Sequence, residues 1–406
     1  MNKKPRPHFE GAKQACIESQ TKETPDMDLS GLFCLQPWEN CEVTRGGIVK
    51  CCCSYWMPDN FGNLKESSLE ETMNSDKAQK IRESILDGSY RFCNKAGCEV
   101  IQSNKLIPIE DILNPDIEKI ETPQGLKLNP KEKKHYADII TNKKTKVGPE
   151  HSPTALRSVN FLWDESCNLE CPSCRIGKIL YVDGSIYQQS LDIQEKVMKY
   201  VFDNYNGQRI KFTITGSGDP FGSKIFRDFL INFDGKQWPN INILFITNGV
   251  MFTKKMWNLM SKCQDNIMGA KISIDAATEK TYKITRPPGN WNQLMTNLKM
   301  ISELRQDKSV VLRYLQFIFV VQKDNFREMA DFVRMGESFG VDQVMFKMLA
   351  DWGTWDRETF QKNAIWMSDN KYYEEFMESL RDPIFKKSIV NFGNLNSFFR
   401  KANDGV

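Results

Sequence analysis

The chain has 406 residues, of which 40% are hydrophobic, and a net charge of only +3 with acidic and basic residues mixed along it. The length predicts two domains with sizeable cores, and the balanced charge favours neither nucleic acid nor an anionic membrane as a partner. Because the start lacks an apolar signal sequence and no stretch approaches about 18 apolar residues, we expect a cytoplasmic protein without a membrane segment.

Most of the 12 cysteines fall into two groups. The first group comprises Cys34, Cys41, Cys51, Cys52, Cys53, Cys93 and Cys98. The second comprises Cys167, Cys171 and Cys174, whereas Cys16 and Cys263 stand apart. In the reducing cytosol, clustered cysteines more often bind metal or take part in redox chemistry than form disulfides.

Residues 1–102 are predicted to form a small cysteine-bearing α+β domain. GGIVKCCC indicates a glycine turn before a short strand. SSLEETM is typical of a helix start, with Ser67 and Glu70 spaced as a capping box. SDKAQKIRESILDG predicts a second helix with one apolar face, which ends before Gly88.

Residues 103–155 differ in composition, because many lysines occur among several prolines. We interpret this segment as a solvated, partly ordered linker; the alternative is a basic arm that attracts substrate. The lysines are Lys127, Lys131, Lys133, Lys134, Lys143, Lys144 and Lys146.

Residues 156–350 alternate between predicted strands and helices. Six runs rich in apolar, β-branched and aromatic residues are RSVNFLWD, RIKFTIT, INILFIT, GAKISID, SVVLRYLQFIFVV and VDQVMFKML. Amphipathic helical patterns such as LDIQEKVMKYVFDNY separate them. This alternation predicts an α/β fold with a parallel sheet, either doubly wound or rolled into an open barrel. Residues 351–406 are predicted to form a helical extension that packs against the barrel or helps to close its mouth.

The stretch CNLECPSC places three thiols on the loop after the first of these strands. Parallel α/β folds carry their chemistry at the C-terminal ends of strands. A structural zinc site needs four protein ligands, and the histidines His8, His135 and His151 all precede this domain. A cubane iron–sulfur cluster held by three thiolates instead leaves one iron open for an exogenous ligand.

The C-x3-C-x2-C spacing resembles the radical S-adenosylmethionine (radical SAM) superfamily. This resemblance implies a partial (βα)6 TIM-like barrel over 156–350. It also implies a [4Fe–4S] cluster held by Cys167, Cys171 and Cys174, whose fourth iron is chelated by S-adenosylmethionine. Many members carry an aromatic residue before the third cysteine, which contacts the adenine, whereas this chain has Ser173 at that position.

Three further segments match the family in order along the chain. TITGSGDP resembles the glycine-rich segment that meets the methionyl amine of the cofactor; a simple strand-to-helix turn is the alternative. ITNG follows the third strand, and SIDAATEKTYKITRPPG resembles the segment that approaches the ribose or carboxylate. The cofactor-binding residues implied are Gly216, Ser217, Gly218, Asp219, Asn248, Ser273, Asp275 and Arg286.

The N-terminal cysteines resemble the C-x(9–15)-G-x4-C opening of SPASM and twitch domains, which hold auxiliary [4Fe–4S] clusters. The resemblance implies one auxiliary cluster, with a domain order that is unusual because this domain precedes the core. The implied ligands are Cys34, Cys52, Cys93 and Cys98, with Cys52 favoured over Cys51 and Cys53 by its spacing from Gly47. A zinc site made by the same thiols is the alternative, and Cys16, Cys41 and Cys263 are interpreted as ordinary thiols.

The family resemblance implies an activity. An electron from a donor such as flavodoxin or ferredoxin would cleave S-adenosylmethionine, and the resulting 5′-deoxyadenosyl radical would abstract hydrogen from a peptide or sugar-type substrate. Net oxidation or rearrangement would follow, and the auxiliary cluster would accept the electron, bind substrate or brace its domain. No obvious cobalamin-binding motif is present, which argues against methyl transfer through that cofactor.

Acid–base candidates are Gln316 on the fifth strand and Lys347 and Asp351 at the end of the sixth, each with a structural role at the barrel rim as the alternative. A different class of function is a non-catalytic iron–sulfur electron carrier or a zinc-braced binding module. Such a protein has no need of TGSGDP and SIDAAT at strand ends, so these segments favour the enzyme.

Overall fold

The structure is a computed structural model that describes residues 27–54, 56–122, 127–148, 156–307 and 312–404. These residues form two compact units. The N-terminal unit comprises residues up to Trp163 together with Ser185–Lys211, and the C-terminal unit comprises Asp164–Gly184 and the described residues from Phe212 onward. This division differs from the predicted boundary near residue 155, because the first strand of the α/β region belongs to the N-terminal unit.

The N-terminal unit contains six strands among its described residues, not counting the start of a seventh. They are β1 (Leu32–Phe33), β2 (Asn40–Thr44), β3 (Ile48–Lys50), β4 (Gly62–Asn63), β5 (Ile107–Pro108) and β6 (Ser158–Leu162). Strand β2 pairs in parallel with β6 and antiparallel with β3, which pairs with β4. Strands β1 and β5 pair separately. The predicted short strand before the CCC run is therefore part of a sheet that includes β6.

The helices of this unit are α1 (Gln36–Glu39), α2 (Leu69–Met73), α3 (Asp76–Leu86), α4 (Glu99–Gln102), α5 (Ile109–Leu113), α6 (Pro130–Thr141) and α7 (Gly184–Asp203), the last of which starts in the C-terminal unit. The capping box predicted for Ser67 and Glu70 is wrong by one residue, since Ser68 and Glu71 form it at the start of α2. Helix α3 ends before Gly88, whose φ of 75° fits a helix stop.

The segment predicted to be a linker is folded over its described part. Helix α6 buries Tyr136 and Ile139, and the Trp38 indole donates to the carbonyl of Lys144 at 3.0 Å. Arg157 pairs with Glu39 at 3.2 Å and also with Glu132 of α6. The lysine-rich composition concealed an amphipathic helix, because the lysines lie on one side and the apolar residues on the other.

The C-terminal unit contains the remaining strands. They are β7 (Ile210–Ile214, from Phe212), β8 (Ile241–Thr247), β9 (Ile267–Ser273), β10 (Tyr314–Val321), β11 (Gln343–Met348) and β12 (Val390–Asn391), in the sheet order β7-β8-β9-β10-β11-β12. Strands β8 to β12 pair in parallel with one another in this order. The alternation of strands and helices predicted for 156–350 is confirmed. The first three residues of the predicted fifth strand, 309–311, lie outside the described residues.

Helices α8 (Lys224–Asn232), α9 (Lys254–Leu259), α10 (Glu279–Thr285), α11 (Trp291–Gln306) and α12 (Met329–Ser338) separate the strands of the C-terminal unit. Helices α13 (Arg357–Asn363), α14 (Tyr373–Ser379) and α15 (Asn396–Asp404) form the predicted helical extension. Strand β12, which pairs with β11, was not predicted. No helix in the described ranges has the length and apolar character needed to span a membrane.

The two faces of β10 differ. Phe317 and Phe319 pack against Phe332 of α12, with ring centroids 6.1 and 4.7 Å apart. Because side chains alternate along a strand, Gln316 lies on the opposite face, where its register partners are Lys271 and Gln343. The sheet therefore presents an apolar face to its helices and a partly polar face on the other side.

Candidate active site

The three cysteines of CNLECPSC lie together on the loop that follows β6 in the chain. Cys167 and Cys171 are buried in one cluster, and Cys174 packs against it. The Cys171 carbonyl accepts hydrogen bonds from the backbone N–H groups of Cys174 and Arg175, both at 2.9 Å, and the Cys167 N–H bonds to the carbonyl of Ile179 at 2.8 Å. These backbone bonds bring the three thiols of the predicted cluster into one place.

Each of the three sulfur atoms has a different side-chain donor. The Asn248 amide lies 3.7 Å from Cys167 Sγ, the Arg286 guanidinium 3.8 Å from Cys171 Sγ, and the Arg175 guanidinium 3.7 Å from Cys174 Sγ. Iron–sulfur clusters are held by thiolates, which are anionic and accept such bonds. The donor set therefore fits a cluster at this site.

Burial raises the pKa of the Cys167 thiol to about 12, and the positive charge of Arg175 opposes this shift. Metal binding must therefore displace the thiol protons. No three Cys, His, Asp or Glu side chains within the described ranges are close enough together to hold a single metal ion. A cubane core is larger than one ion and holds its thiolates farther apart.

The glycine-rich segment after β7 packs directly on the cysteine loop. A Cβ atom on Gly218 would lie 2.5 Å from the carbonyl oxygen of Ser166, and one on Gly222 would lie 3.1 Å from the Cα of Cys167. The Asp219 N–H also donates to the Ser166 carbonyl at 2.9 Å. Glycine is needed here because the two loops touch through their backbones.

We expect Gly218→Ala to destabilise the protein by about 1–3 kcal/mol, because the added methyl group meets backbone that cannot move independently. Gly222→Ala is the matched control and should cost less, since its contact is 3.1 Å rather than 2.5 Å. Thermal unfolding of both variants measures the difference. Equal stability of wild type and Gly218→Ala would show that the loops do not pack in this way.

Asp219 is completely buried, and both of its carboxylate oxygens have partners in the protein. One oxygen accepts from the N–H groups of Phe221 and Gly222 at 3.0 Å, and the other from Thr247 Oγ1 at 2.7 Å and the Asn248 N–H at 2.9 Å. Burial raises the pKa of Asp219, and these hydrogen bonds oppose the shift. Asp219 therefore joins the loops that follow β7 and β8.

Gly216 and Ser217 also use their N–H groups within the loop, since both donate to Thr215 Oγ1, at 2.6 and 3.1 Å. Asn248 follows β8 and bonds to Asn168 Oδ1 at 2.9 Å as well as to the Cys167 sulfur. The structure thus brings the glycine-rich segment and Asn248 to the cysteine loop.

Asp275 and Arg286 form a buried ion pair of 2.5 Å. Asp275 has a φ of 59°, and its other oxygen accepts the Val320 N–H at 2.7 Å. Burial raises the pKa of Asp275 and Arg286 opposes this. The guanidinium of Arg286 lies between Asp275 and the sulfur of Cys171, and its predicted pairing with the cofactor's carboxylate stays a prediction. Ser273 ends β9, opposite Ile318 of β10.

The three acid–base candidates lie in different surroundings. Gln316 is buried, and its amide contacts the side chain of Gln343. Lys347 is exposed near the end of β11. Asp351 accepts the N–H of Gly353 at 2.7 Å in the following turn. Gln316 and Lys347 share one face of the sheet, because Gln343 and Lys347 are four residues apart on β11.

Sequence reasoning missed several residues that build this site. Arg175, directly after the third cysteine, was not considered, although a cation at that position was the available signal. Asp164 was read as the end of a strand, but its carboxylate accepts Ser223 Oγ at 2.6 Å. Thr215, whose hydroxyl organises the glycine-rich loop, gave no signal in the sequence.

The N-terminal cysteines form a second group, in which Cys41 and Cys51 are buried and the others are half-buried. Burial raises the pKa of Cys34, whose thiol is also close enough to Cys93, Cys98 and Cys51 to be influenced by their charge. A hydrogen bond with Cys51, together with burial, raises the pKa of Cys52. The assignment of Cys52 as a ligand stays a prediction, because Cys51 is also close to Cys34 and Cys93.

Two buried cations accompany these thiols. Lys50 Nζ donates to Ser54 Oγ at 3.0 Å and the Pro58 carbonyl at 3.3 Å. Arg82 donates to the carbonyls of Pro37 and Thr145 at 2.9 and 2.7 Å. Burial lowers the pKa of Arg82 to about 10, and the charge of Cys51 opposes this. An anionic cluster would provide the negative charge that favours both cations.

Family comparisons agree with this geometry. Residues 165–336 match the model of the Radical SAM superfamily, and residues 34–99 match that of SPASM, an iron-sulfur cluster-binding domain. Fold and site together define an iron–sulfur protein with a parallel α/β sheet. The chain therefore carries a radical SAM region at residues 165–336 and a SPASM region on its N-terminal side. These matches confirm the predicted family and fold class, and they imply a [4Fe–4S] cluster, S-adenosylmethionine and auxiliary iron–sulfur clusters.

The chain is also similar to solved structures of SuiB from Streptococcus suis. The structure bound to S-adenosylmethionine is 16% identical, with a TM-score of 0.40, and the match covers 89% of this chain and 69% of that one. The structure bound to the precursor peptide SuiA is 14% identical, with a TM-score of 0.36, and the match covers 61% of this chain and 50% of that one. None of the curated proteins compared matches this chain.

Proposed function

We propose that the protein reductively cleaves S-adenosylmethionine and abstracts hydrogen from a peptide or sugar-type substrate, with net oxidation or rearrangement. The observation that carries this proposal is the cysteine loop, where three thiols each face a separate donor, within the region that matches the Radical SAM superfamily. When bound, the cluster and S-adenosylmethionine supply the one-electron cleavage that yields a 5′-deoxyadenosyl radical.

The chain's own residues orient and enclose this chemistry. Cys167, Cys171 and Cys174 hold the cluster in our proposal, and the Gly216–Gly218 backbone lines the cofactor site. Asp219 acts by fixing the glycine-rich loop and Asn248 rather than by contacting the cofactor, since its oxygens are already engaged. Burial of the thiols restricts water near the cluster.

Asp275 orients Arg286 through their ion pair, so that Arg286 supports the Cys171 thiolate. Ser273, at the end of β9, is proposed to contact the ribose or carboxylate. Lys347 and Asp351 remain the candidates for proton transfer. Gln316 is proposed to act only by hydrogen bonding, because an amide does not titrate.

The N-terminal cysteines are proposed to hold one auxiliary [4Fe–4S] cluster that accepts the electron left on the substrate. The proposed electron donor for the cysteine loop is a flavodoxin or ferredoxin. We further propose a cytoplasmic enzyme whose N-terminal domain, residues 1–102, precedes the core of 156–350 and its extension of 351–406, with no nucleic acid partner.

We expect about eight irons per chain after anaerobic reconstitution, four for each cluster. Incubation with dithionite and S-adenosylmethionine should then release 5′-deoxyadenosine. Changing Cys167, Cys171 and Cys174 together to alanine should leave roughly half of the iron. Full iron content without any 5′-deoxyadenosine would favour the electron carrier instead, whereas four irons with bound zinc would make the N-terminal site structural.

A further inference from the structure

Arg175 follows the third cysteine and is only 4% exposed. One terminal nitrogen of its guanidinium donates to the Glu165 carbonyl at 3.1 Å. The other donates to the Ser217 carbonyl at 3.1 Å and to Cys174 Sγ at 3.7 Å. Arg175 therefore connects the cysteine loop with the glycine-rich segment.

The charge of this guanidinium has no carboxylate partner in the part of the chain that the structure describes. Arg286, the other guanidinium at the site, is balanced by Asp275. The Nε atom of Arg175 is buried and makes no hydrogen bond to the described residues. A buried charge is costly unless an opposite charge or good hydrogen bonds compensate for it, and two carbonyl dipoles compensate only in part.

The sulfur of Cys174, 3.7 Å away, can carry the opposite charge, and the thiols of Cys167 and Cys171 are also close enough to act on Arg175. A thiol is a weak acceptor, but a cluster-bound thiolate is anionic and forms stronger, charge-assisted hydrogen bonds. Arg175 is thus in position to neutralise a negative charge that is present only when the three cysteines hold a cluster.

We propose that Arg175 is a positioning residue and the counter-charge of the cysteine loop. Its charge makes the site easier to reduce, because a nearby cation favours the addition of an electron to an anionic cluster. Its hydrogen bonds to the carbonyls of Glu165 and Ser217 also hold Cys174 next to the glycine-rich segment. This inference rests on the proposed function, since it requires an iron–sulfur cluster at these cysteines.

The test is an anaerobic redox titration of the reconstituted full-length protein, monitored by electron paramagnetic resonance. The signal of the cluster at the cysteine loop is identified by its change when S-adenosylmethionine is added. In Arg175→Gln, we expect the ratio of reduced to oxidised cluster at one fixed potential to fall about tenfold, equivalent to ~59 mV for a one-electron couple.

Lys178→Gln is the matched control. Lys178 lies three residues after Arg175 and its side chain is exposed, so this variant removes an equal charge from the surface. Solvent screens that charge, so its ratio should equal that of the wild type. Arg175→Lys keeps the charge but has no planar fork to span both carbonyls. Its ratio should remain within about threefold of the wild type, with faster loss of iron to a chelator.

An unchanged ratio in Arg175→Gln with full iron content would overturn the inference and leave the proposed function intact. If Arg175→Gln loses its cluster, the inference is tested with Arg175→Lys. A ratio of reduced to oxidised cluster near that of the wild type supports the counter-charge role, and a tenfold fall in this ratio contradicts it. A wild type whose cluster does not respond to S-adenosylmethionine would overturn both proposals.

Discussion

Changing any one of Cys167, Cys171 and Cys174 to alanine is expected to abolish the formation of 5′-deoxyadenosine. Two thiolates cannot retain a cubane with one open iron, and the described histidine, His135, lies in the other unit, so no histidine that the structure describes can replace the lost ligand locally. The measurement is quantification of 5′-deoxyadenosine by mass spectrometry after anaerobic reconstitution with excess dithionite. We expect activity below the detection limit in all three variants.

The matched control is Cys263→Ala. Cys263 is also completely buried in the C-terminal unit, but its thiol donates to the Leu230 carbonyl at 3.2 Å. This variant should lose some stability and keep its cleavage activity. Wild-type levels of 5′-deoxyadenosine in any of the three loop variants would exclude this loop as the cluster site.

The second large effect is expected at the N-terminal cysteines. Changing Cys93 and Cys98 together to alanine should preserve 5′-deoxyadenosine formation and block the product, if the auxiliary cluster accepts the electron from the substrate radical. The reason is that these thiols belong to the N-terminal unit, whereas the loop thiols and their donors belong to the C-terminal unit. Comparing 5′-deoxyadenosine with product in single-turnover reactions measures the uncoupling, once a substrate has been identified.

Cys41→Ala is the control for this variant. Cys41 is completely buried on β2, and its thiol is interpreted as an ordinary packed side chain. It should keep both cleavage and product formation. Normal product in the Cys93/Cys98 variant would show that the auxiliary cluster is not an obligatory electron acceptor and would favour bracing or substrate docking.

Much of the fold could be predicted from the sequence, because the strands of the α/β region are continuous apolar runs between polar turns. The N-terminal boundary could not be predicted, since it depends on β2 pairing with β6, and such pairing leaves no local pattern. The helix over 130–141 was missed because it lies in a segment with many lysines and prolines. Its buried residues Glu132, Tyr136 and Ile139 are spaced by four and three positions, which places them on one face of the helix.

In the candidate site, too, the features set by local sequence could be predicted and those set by distant contacts could not. The spacing of Cys167, Cys171 and Cys174 identified the loop, because ligand spacing is a local property. The partners of Asp219 and Arg286 could not be identified in this way, since Thr247 and Asp275 lie 28 and 11 residues away along the chain. The sequence therefore predicts cofactor contacts for Asp219 and Arg286, but it does not reveal that these side chains also hold other residues in place.

The parallel pairing of β2 with β6 extends over five residues, from Asn40 opposite Ser158 to Thr44 opposite Leu162. A chain that began after the predicted boundary at residue 155 would keep β6 but lose its neighbour on that side. The exposed backbone N–H and C=O groups of β6 would then form a free edge, which invites pairing with other chains. Strand β2 of the SPASM region thus covers this edge of β6, independently of any cluster, and we expect a core expressed from residue 156 onward to self-associate through the uncovered edge.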